Sequence, residues 1–307
     1  MAEPLQNHNH TSKSSPYQNN WLMENHRFNG GHSMAAKAIC EHTGIANPIT
    51  ATLKLSNDLV IASGRSYPPY DPESYATMQN AEVKHLDYIN YDGRIFPLDK
   101  GYIIEICSKR SEERQNFCCC HEVGHTFFLS LSNLLLQKVA HKIDYKIKLL
   151  TEVSEEERLC NIAASEMLMP HSMFKEIALS YKPGIRCINL IAKEFRVSFL
   201  ASIIRILEMG AWKCIAIIWT PVEYKRPESG FRVNWFGISY GWNYFIPIEK
   251  VEHEIGSNPL LFHSYQTGKR INADLKNDYI MESTRLILND DNKCVFSLIY
   301  KRCTNIE

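Results

Sequence analysis

The chain has 307 residues, enough for two modest domains or one domain with a large extension, and its 45% hydrophobic and 22% charged content suits a packed soluble protein. Its formal net charge is zero, so the overall balance steers it toward neither nucleic acid nor an anionic membrane. No apolar run approaches the roughly 18 to 20 residues a membrane span needs. The opening "MAEPLQNHNHTSKSSPYQNN" has neither the basic start nor the apolar core of a secretory signal. The ten cysteines are scattered without a C-x-x-C pair, which speaks against a disulfide framework and against a cysteine-only zinc knuckle. Reduced thiols in a cytoplasmic protein are the expectation.

Residues 1–32, rich in Asn, His, Ser and Gln, have too little apolar area to offset the entropy of ordering and read as a disordered tail. From Ser33 to about Ser63 the pattern gives two short helices broken at Asn47-Pro48. Residues 64–90, containing "SYPPYDPES", read as an irregular loop. "RIFPL", the turn "DKG" and "YIIEIC" then read as a hairpin, whose second strand could offer an edge to an extended peptide. Ser111 is placed to cap a helix running to about Leu131, with Glu112 and Glu113 in the first turn, where the helix dipole favours negative charge. Residues 132–151 carry no decisive pattern. Ser154 starts another helix that reaches Met169 and stops at Pro170, and two further helices follow, "CINLIAKEF" and, capped by Ser198, "FLASIIRILEMG". The second of that pair has one arginine and no polar reading face, so it reads as packing and not as a DNA-reading helix. After Gly210 the texture turns to strands: "WKCIAIIWT", "FRVNWFGIS", "WNYFIPI", "RLILN" and "CVFSLIYKR".

The segment that carries chemistry is "RQNFCCCHEVGHTFF", residues 114–128. At about 100° per residue His121 and His125 share one helix face, so both imidazoles can reach a single metal ion at roughly 2.0 to 2.1 Å. Glu122 lies about 60° further round than His125, where a base for a metal-activated water would stand. The helix is apolar nearly all round, and a buried His-Glu-His face needs compensation that a metal provides. Cys120 directly precedes His121 and Cys118 lies about 60° from it on the helix; a thiolate there could block or replace a ligand and make the site redox-sensitive, but small core residues are the expectation.

The spacing H-E-x-x-H-x-x-G-x-x-H is excluded by Phe128 and Leu131, so the third ligand must come from elsewhere. Candidates are Glu152, Glu155, Glu156, Glu157 and Glu166. Glu157 stands on a small and apolar stripe with Ala164 and Leu168, and Asn161 follows one turn on, whereas Glu166 lies half a revolution away. That phase favours Glu157 as ligand and Asn161 as a hydrogen-bonding orienter of a bound histidine. The same "SEEE" also reads as a capping box, with Ser154 and Glu157 as its two partners. His141, Tyr145, His171 and Tyr181 could stabilise an oxyanion, and nothing in the sequence ranks them.

Three segments together resemble the ImmA/IrrE family of zinc metallo-endopeptidases. "RQNFCCCHEVGH" is similar to that family's R-Q-x-F-x-x-A-H-E-x-G-H, "ERLCNIAASEMLMP" to E-x-x-A-N-x-F-A-x-x-L-L-M-P, and "IAKEFRVSFLASIIRIL" to L-A-x-x-F-x-V-S-x-x-A-x-x-x-R-L. Cys120 and Cys160 stand where alanine is usual, Ala163 replaces the phenylalanine and Met167 a leucine. The resemblance covers about residues 33–210 and implies His121, His125 and Glu157 as ligands of Zn2+ and Glu122 as catalytic base. It further implies a cytoplasmic protease that acts on a protein substrate, a helix-turn-helix transcriptional repressor, in stress response and transcription regulation.

The expected fold is therefore α+β: a disordered tail over 1–32, a mostly helical zincin-like core with a small sheet over 33–210, and a β-rich region over 211–307. In some members of the resembled family a sensor-like domain of GAF fold follows the protease, which is the expectation for that last region. A non-catalytic, metal-stabilised protein that sequesters a regulator is the alternative function. Neither reading calls for direct nucleic-acid binding or a membrane.

Overall fold

The computed structural model describes residues 33–129, 155–223, 226–242, 248–288 and 292–302. The tail over 1–32, the undecided stretch 132–151, the end of the motif helix near Leu131, Glu152, Ser154, His141, Tyr145 and most of "WNYFIPI" lie outside them.

Capping chemistry sets the first helices. α1 (Met34–Thr43) starts where Ser33 Oγ accepts from the Ala36 N–H at 3.1 Å and ends at Gly44, whose φ of 68° is readily adopted only without a Cβ. α2 (Pro48–Ala62) starts with Asn47 Oδ1 accepting from the Thr50 N–H at 3.0 Å and with Pro48 in its first turn, as the Asn47-Pro48 break required.

The expected loop over 64–90 holds two elements instead. α3 (Pro72–Met78) is capped by Asp71, and β1 (Ala81–Leu86) follows it. A seven-residue helix is too short to show a period, and β1 alternates only weakly because one face is solvated. β2 (Gly93–Pro97) and β3 (Tyr102–Cys107) form the expected antiparallel hairpin. β1 pairs parallel to β3, so the sheet order is β1-β3-β2 and β3 is central. "YIIEIC" therefore offers no free edge; among the described residues, the edge strands are β1 and β2.

α4 (Glu112–Leu129) carries the His-Glu-His motif, and the Ser111 Oγ accepts from the Arg114 N–H at 3.4 Å, near the outer limit for such a cap. Arg114 and Gln115, the first residues of the motif, anchor this helix. Arg114 reaches Asp92 through Nε at 3.0 Å and Nη2 at 2.5 Å, and Gln115 Nε2 donates to the Arg110 carbonyl at 2.7 Å. Asp92 directly precedes β2, so a buried ion pair ties the sheet to the start of the motif helix.

α5 (Glu155–Leu168) lies against α4, and α6 (His171–Ser180), which the sequence reading did not include, follows Pro170 directly. α7 (Ile185–Phe195) and α8 (Phe199–Met209) are the expected pair, joined through Arg196 at φ 51°, with Ser198 Oγ accepting from the Ala201 N–H at 3.1 Å. Arg205 of α8 is buried and donates to the Met169 carbonyl and to Glu166, confirming that this helix packs.

The C-terminal region is a five-stranded antiparallel sheet in the order β5-β4-β8-β7-β6. Its strands are β4 (Cys214–Pro221), β5 (Phe231–Ile238), β6 (Ile271–Asp274), β7 (Tyr279–Leu288) and β8 (Asn292–Lys301). Two helices, α9 (Ile248–Ile255) and α10 (Pro259–Thr267), interrupt the expected run of strands. One face of the sheet, with Ala216, Ile218, Phe296 and Leu298, joins the core built by the helices before it. The other face, with Ile217, Trp219, Val295 and Ile299, forms a second core that Val251, Ile255, Leu261 and Phe262 of α9 and α10 complete. The molecule is thus an α+β protein with a small mixed sheet near its start and a larger antiparallel sheet at its end.

Candidate metal and active site

The two helices that bear the site approach closely because Gly124 has no side chain. A Cβ there would stand 3.1 Å from Cys160 Cα and 3.3 Å from Ala163 Cβ, so backbone meets backbone where α4 crosses α5. This contact brings the second half of the motif face against the first turns of α5.

His121 and His125 are almost wholly buried, their ring centroids 5.0 Å apart and their planes at 75°. Glu157 reaches both: one carboxylate oxygen is 3.1 Å from His121 Nε2 and the other 3.6 Å from His125 Nε2. Two donors bound to one ion at roughly 2.0 to 2.2 Å and the tetrahedral angle stand about 3.4 Å apart, a spacing that these two distances bracket.

The far sides of the rings are also held. His121 Nδ1 lies 3.0 Å from Asn161 Oδ1, and His125 Nδ1 lies 3.1 Å from a Glu156 carboxylate oxygen. Both partners are acceptors, so with a metal ion bound each imidazole would keep its proton on Nδ1 and present the lone pair of Nε2 on the Glu157 side. Two imidazole nitrogens and a carboxylate thus converge in a largely buried space whose donor set fits a divalent cation.

Glu122 is 4% exposed and faces the sheet. A Cβ on Gly93 of β2 would lie 3.4 Å from Glu122 Oε1, so the edge strand β2 runs directly past this carboxylate.

The remaining acidic candidates have other work. Glu155 accepts from the Ser33 N–H at 2.6 Å, and Glu166 accepts from the His171 N–H at 2.9 Å and pairs with Arg205. Of the oxyanion candidates, His171 opens α6 and Tyr181 ends it. Burial pushes the Cys118 thiol up to about 12 and those of Cys119 and Cys120 higher still, so all three stay protonated and fill the core.

The structure brings together His121, His125, Glu157 and Asn161 as the sequence phase required. The bond from Glu156 to His125 was not foreseen, because Glu156 stands 100° from Glu157 and nothing local marks it. The closeness of Gly93 to Glu122 also escaped, since it depends on how the sheet lies on α4.

Fold and cluster define an α+β protein with a buried His-His-carboxylate set fit for a divalent cation, borne on two helices beside a small sheet. Residues 76–207 of this chain match the family described as the IrrE N-terminal-like domain. Two curated proteins are similar to this chain at modest identity. The radiation response metalloprotease IrrE of Deinococcus radiodurans is 28% identical over 173 residues, 56% of this chain and 51% of that protein. The protein of the same name from Deinococcus deserti is 29% identical over 120 residues, 39% of this chain and 40% of that protein. The chain thus spans about half or less of the curated relatives it matches. Among solved structures, a Mycobacterium tuberculosis transcriptional regulator superposes with a TM-score of 0.53 over 87% of this chain and 79% of its own. At 11% identity that likeness speaks to the fold alone. No helix among the described residues is long and apolar enough to cross a membrane.

Proposed function

We propose that this protein is a zinc-dependent endopeptidase that hydrolyses peptide bonds in a protein substrate. The observation that carries the reading is the convergence of His121 Nε2, His125 Nε2 and the Glu157 carboxylate beside the buried Glu122. The donor set of two imidazoles and one carboxylate suits zinc. A zinc ion bound there would supply Lewis acidity to a scissile carbonyl and make water a nucleophile at neutral pH. Asn161 and Glu156 fix the tautomer and orientation of the two imidazoles. Glu122 takes the proton of the attacking water and delivers it to the leaving amine. The edge strand β2, passing Glu122 at Gly93, is placed to align an extended peptide by main-chain hydrogen bonds.

In this reading residues 33–210 form a zincin-like core and residues 211–307 a GAF-like region. The substrate is a helix-turn-helix transcriptional regulator, and the setting is a cytoplasmic stress response. The names of the two Deinococcus relatives support the stress setting, and the nine free cysteines among the described residues support a reducing compartment.

Glu122→Gln tests the chemistry. The variant should keep its zinc and its fold and lose cleavage of a co-expressed regulator encoded beside it. A regulator cleaved by the wild type and equally by the variant would refute Glu122 as base. A regulator bound by both and cleaved by neither would favour sequestration.

A further inference from the structure

One more donor faces the cluster. Cys160 lies one turn beyond Glu157 on α5, is wholly buried, and holds its Sγ within 4.8 Å of a ring nitrogen of both His121 and His125. Among the described residues, it is the cysteine grouped with the imidazole pair; Cys118, Cys119 and Cys120, though nearer in sequence, are not. Its position follows from the helix crossing. Gly124, between the two histidines, lets the Cys160 backbone approach until only a bare Cα separates the helices. The resembled pattern usually has alanine at this point.

We propose that Cys160 is a fourth ligand, its thiolate binding the same cation that His121, His125 and Glu157 hold. The inference rests on the metal-site reading above. A zinc–sulfur bond of about 2.3 Å beside zinc–nitrogen bonds of about 2.0 Å puts the sulfur about 3.5 Å from each nitrogen. From a separation of at most 4.8 Å this takes a closure of no more than about 1.3 Å, within one staggered change of the cysteine χ1. On binding, the S–H bond breaks, a sulfur–metal bond forms, and the proton leaves to solvent; no electron changes hands. Four protein donors close a tetrahedral site, whereas catalysis needs an open position. The metal-loaded protein therefore rests in a closed state, and turnover requires the thiolate to be displaced.

Titration of the metal-free protein with Co2+ tests this without any substrate, because a thiolate ligand gives a near-ultraviolet sulfur-to-cobalt charge-transfer band and His and Glu do not. The band should appear in the wild type and in Cys118→Ala, and vanish in Cys160→Ala and Cys160→Ser while the visible cobalt bands remain. Cobalt uptake by the wild type without the charge-transfer band, a measurement that needs no variant, would overturn the inference and leave the metal site standing. A band that persists in Cys160→Ala would overturn it as well. Failure of the folded wild type to take up cobalt at all would instead refute the metal-site reading.

Discussion

Glu157 and Glu166 sit on one helix nine residues apart, and their removal should have opposite consequences. Glu157 touches the two Nε2 atoms at 3.1 and 3.6 Å and is 14% exposed as a side chain, so Glu157→Ala deletes one of four proposed protein donors at a modest cost to packing. Loss of a mere outer partner lowers metal affinity about 10- to 100-fold, so the loss of a direct donor should exceed about 100-fold. Glu166 is 5% exposed and holds the 4% exposed Arg205, together with the His171 N–H. Glu166→Ala leaves a buried guanidinium without its main counter-charge, at a cost of about 3–5 kcal/mol. Glu208, 3.5 Å from Arg205, offers partial replacement and places the expectation toward the lower value. At about 2 °C per kcal/mol for a chain of this size, Glu166→Ala should melt about 6 °C lower. The assay is zinc content after dialysis, read well below each melting temperature, beside a thermal melt of the metal-free proteins. Glu157→Ala should lose zinc and keep its melting temperature, and Glu166→Ala should do the reverse. Full zinc in Glu157→Ala with depleted zinc in folded Glu166→Ala would refute the assignment of the third donor.

Two further outcomes follow from the same geometry. Asn161→Ala removes the acceptor on His121 Nδ1 at 3.0 Å and should weaken zinc binding about 10- to 100-fold in a competition titration, with little change in the melt. Gly124→Ala puts a Cβ 3.1 Å from Cys160 Cα and 3.3 Å from Ala163 Cβ, and since backbone yields poorly, α4 and α5 must part. A loss of about 1–3 kcal/mol in denaturant unfolding and a weaker metal affinity are expected together. Unchanged stability would mean that the two helices do not meet at this glycine.

What lies within one helical turn or one hairpin was legible in the residues themselves. The spacing of His121 and His125 placed two imidazoles on one face, Ser111, Ser198 and Asn47-Pro48 marked helix starts, and the phase of α5 put Glu157 and Asn161 on one stripe. Helix and strand periods fix these relations, since they depend only on residues joined by a few peptide units. Short or weakly patterned elements escaped: α3, α6 and β1 carry too few buried positions to declare a period.

Tertiary structure alone decided the rest. It turned β3 into a central strand by pairing β1 on its far side, gave β2 the edge beside Glu122, and seated Glu156 on His125. It also sent Glu166 to Arg205, 39 residues away, and brought Cys160 to the imidazole pair. Such neighbours are chosen by how whole surfaces close on one another, here through the bare backbone at Gly124, and no local period encodes that closure.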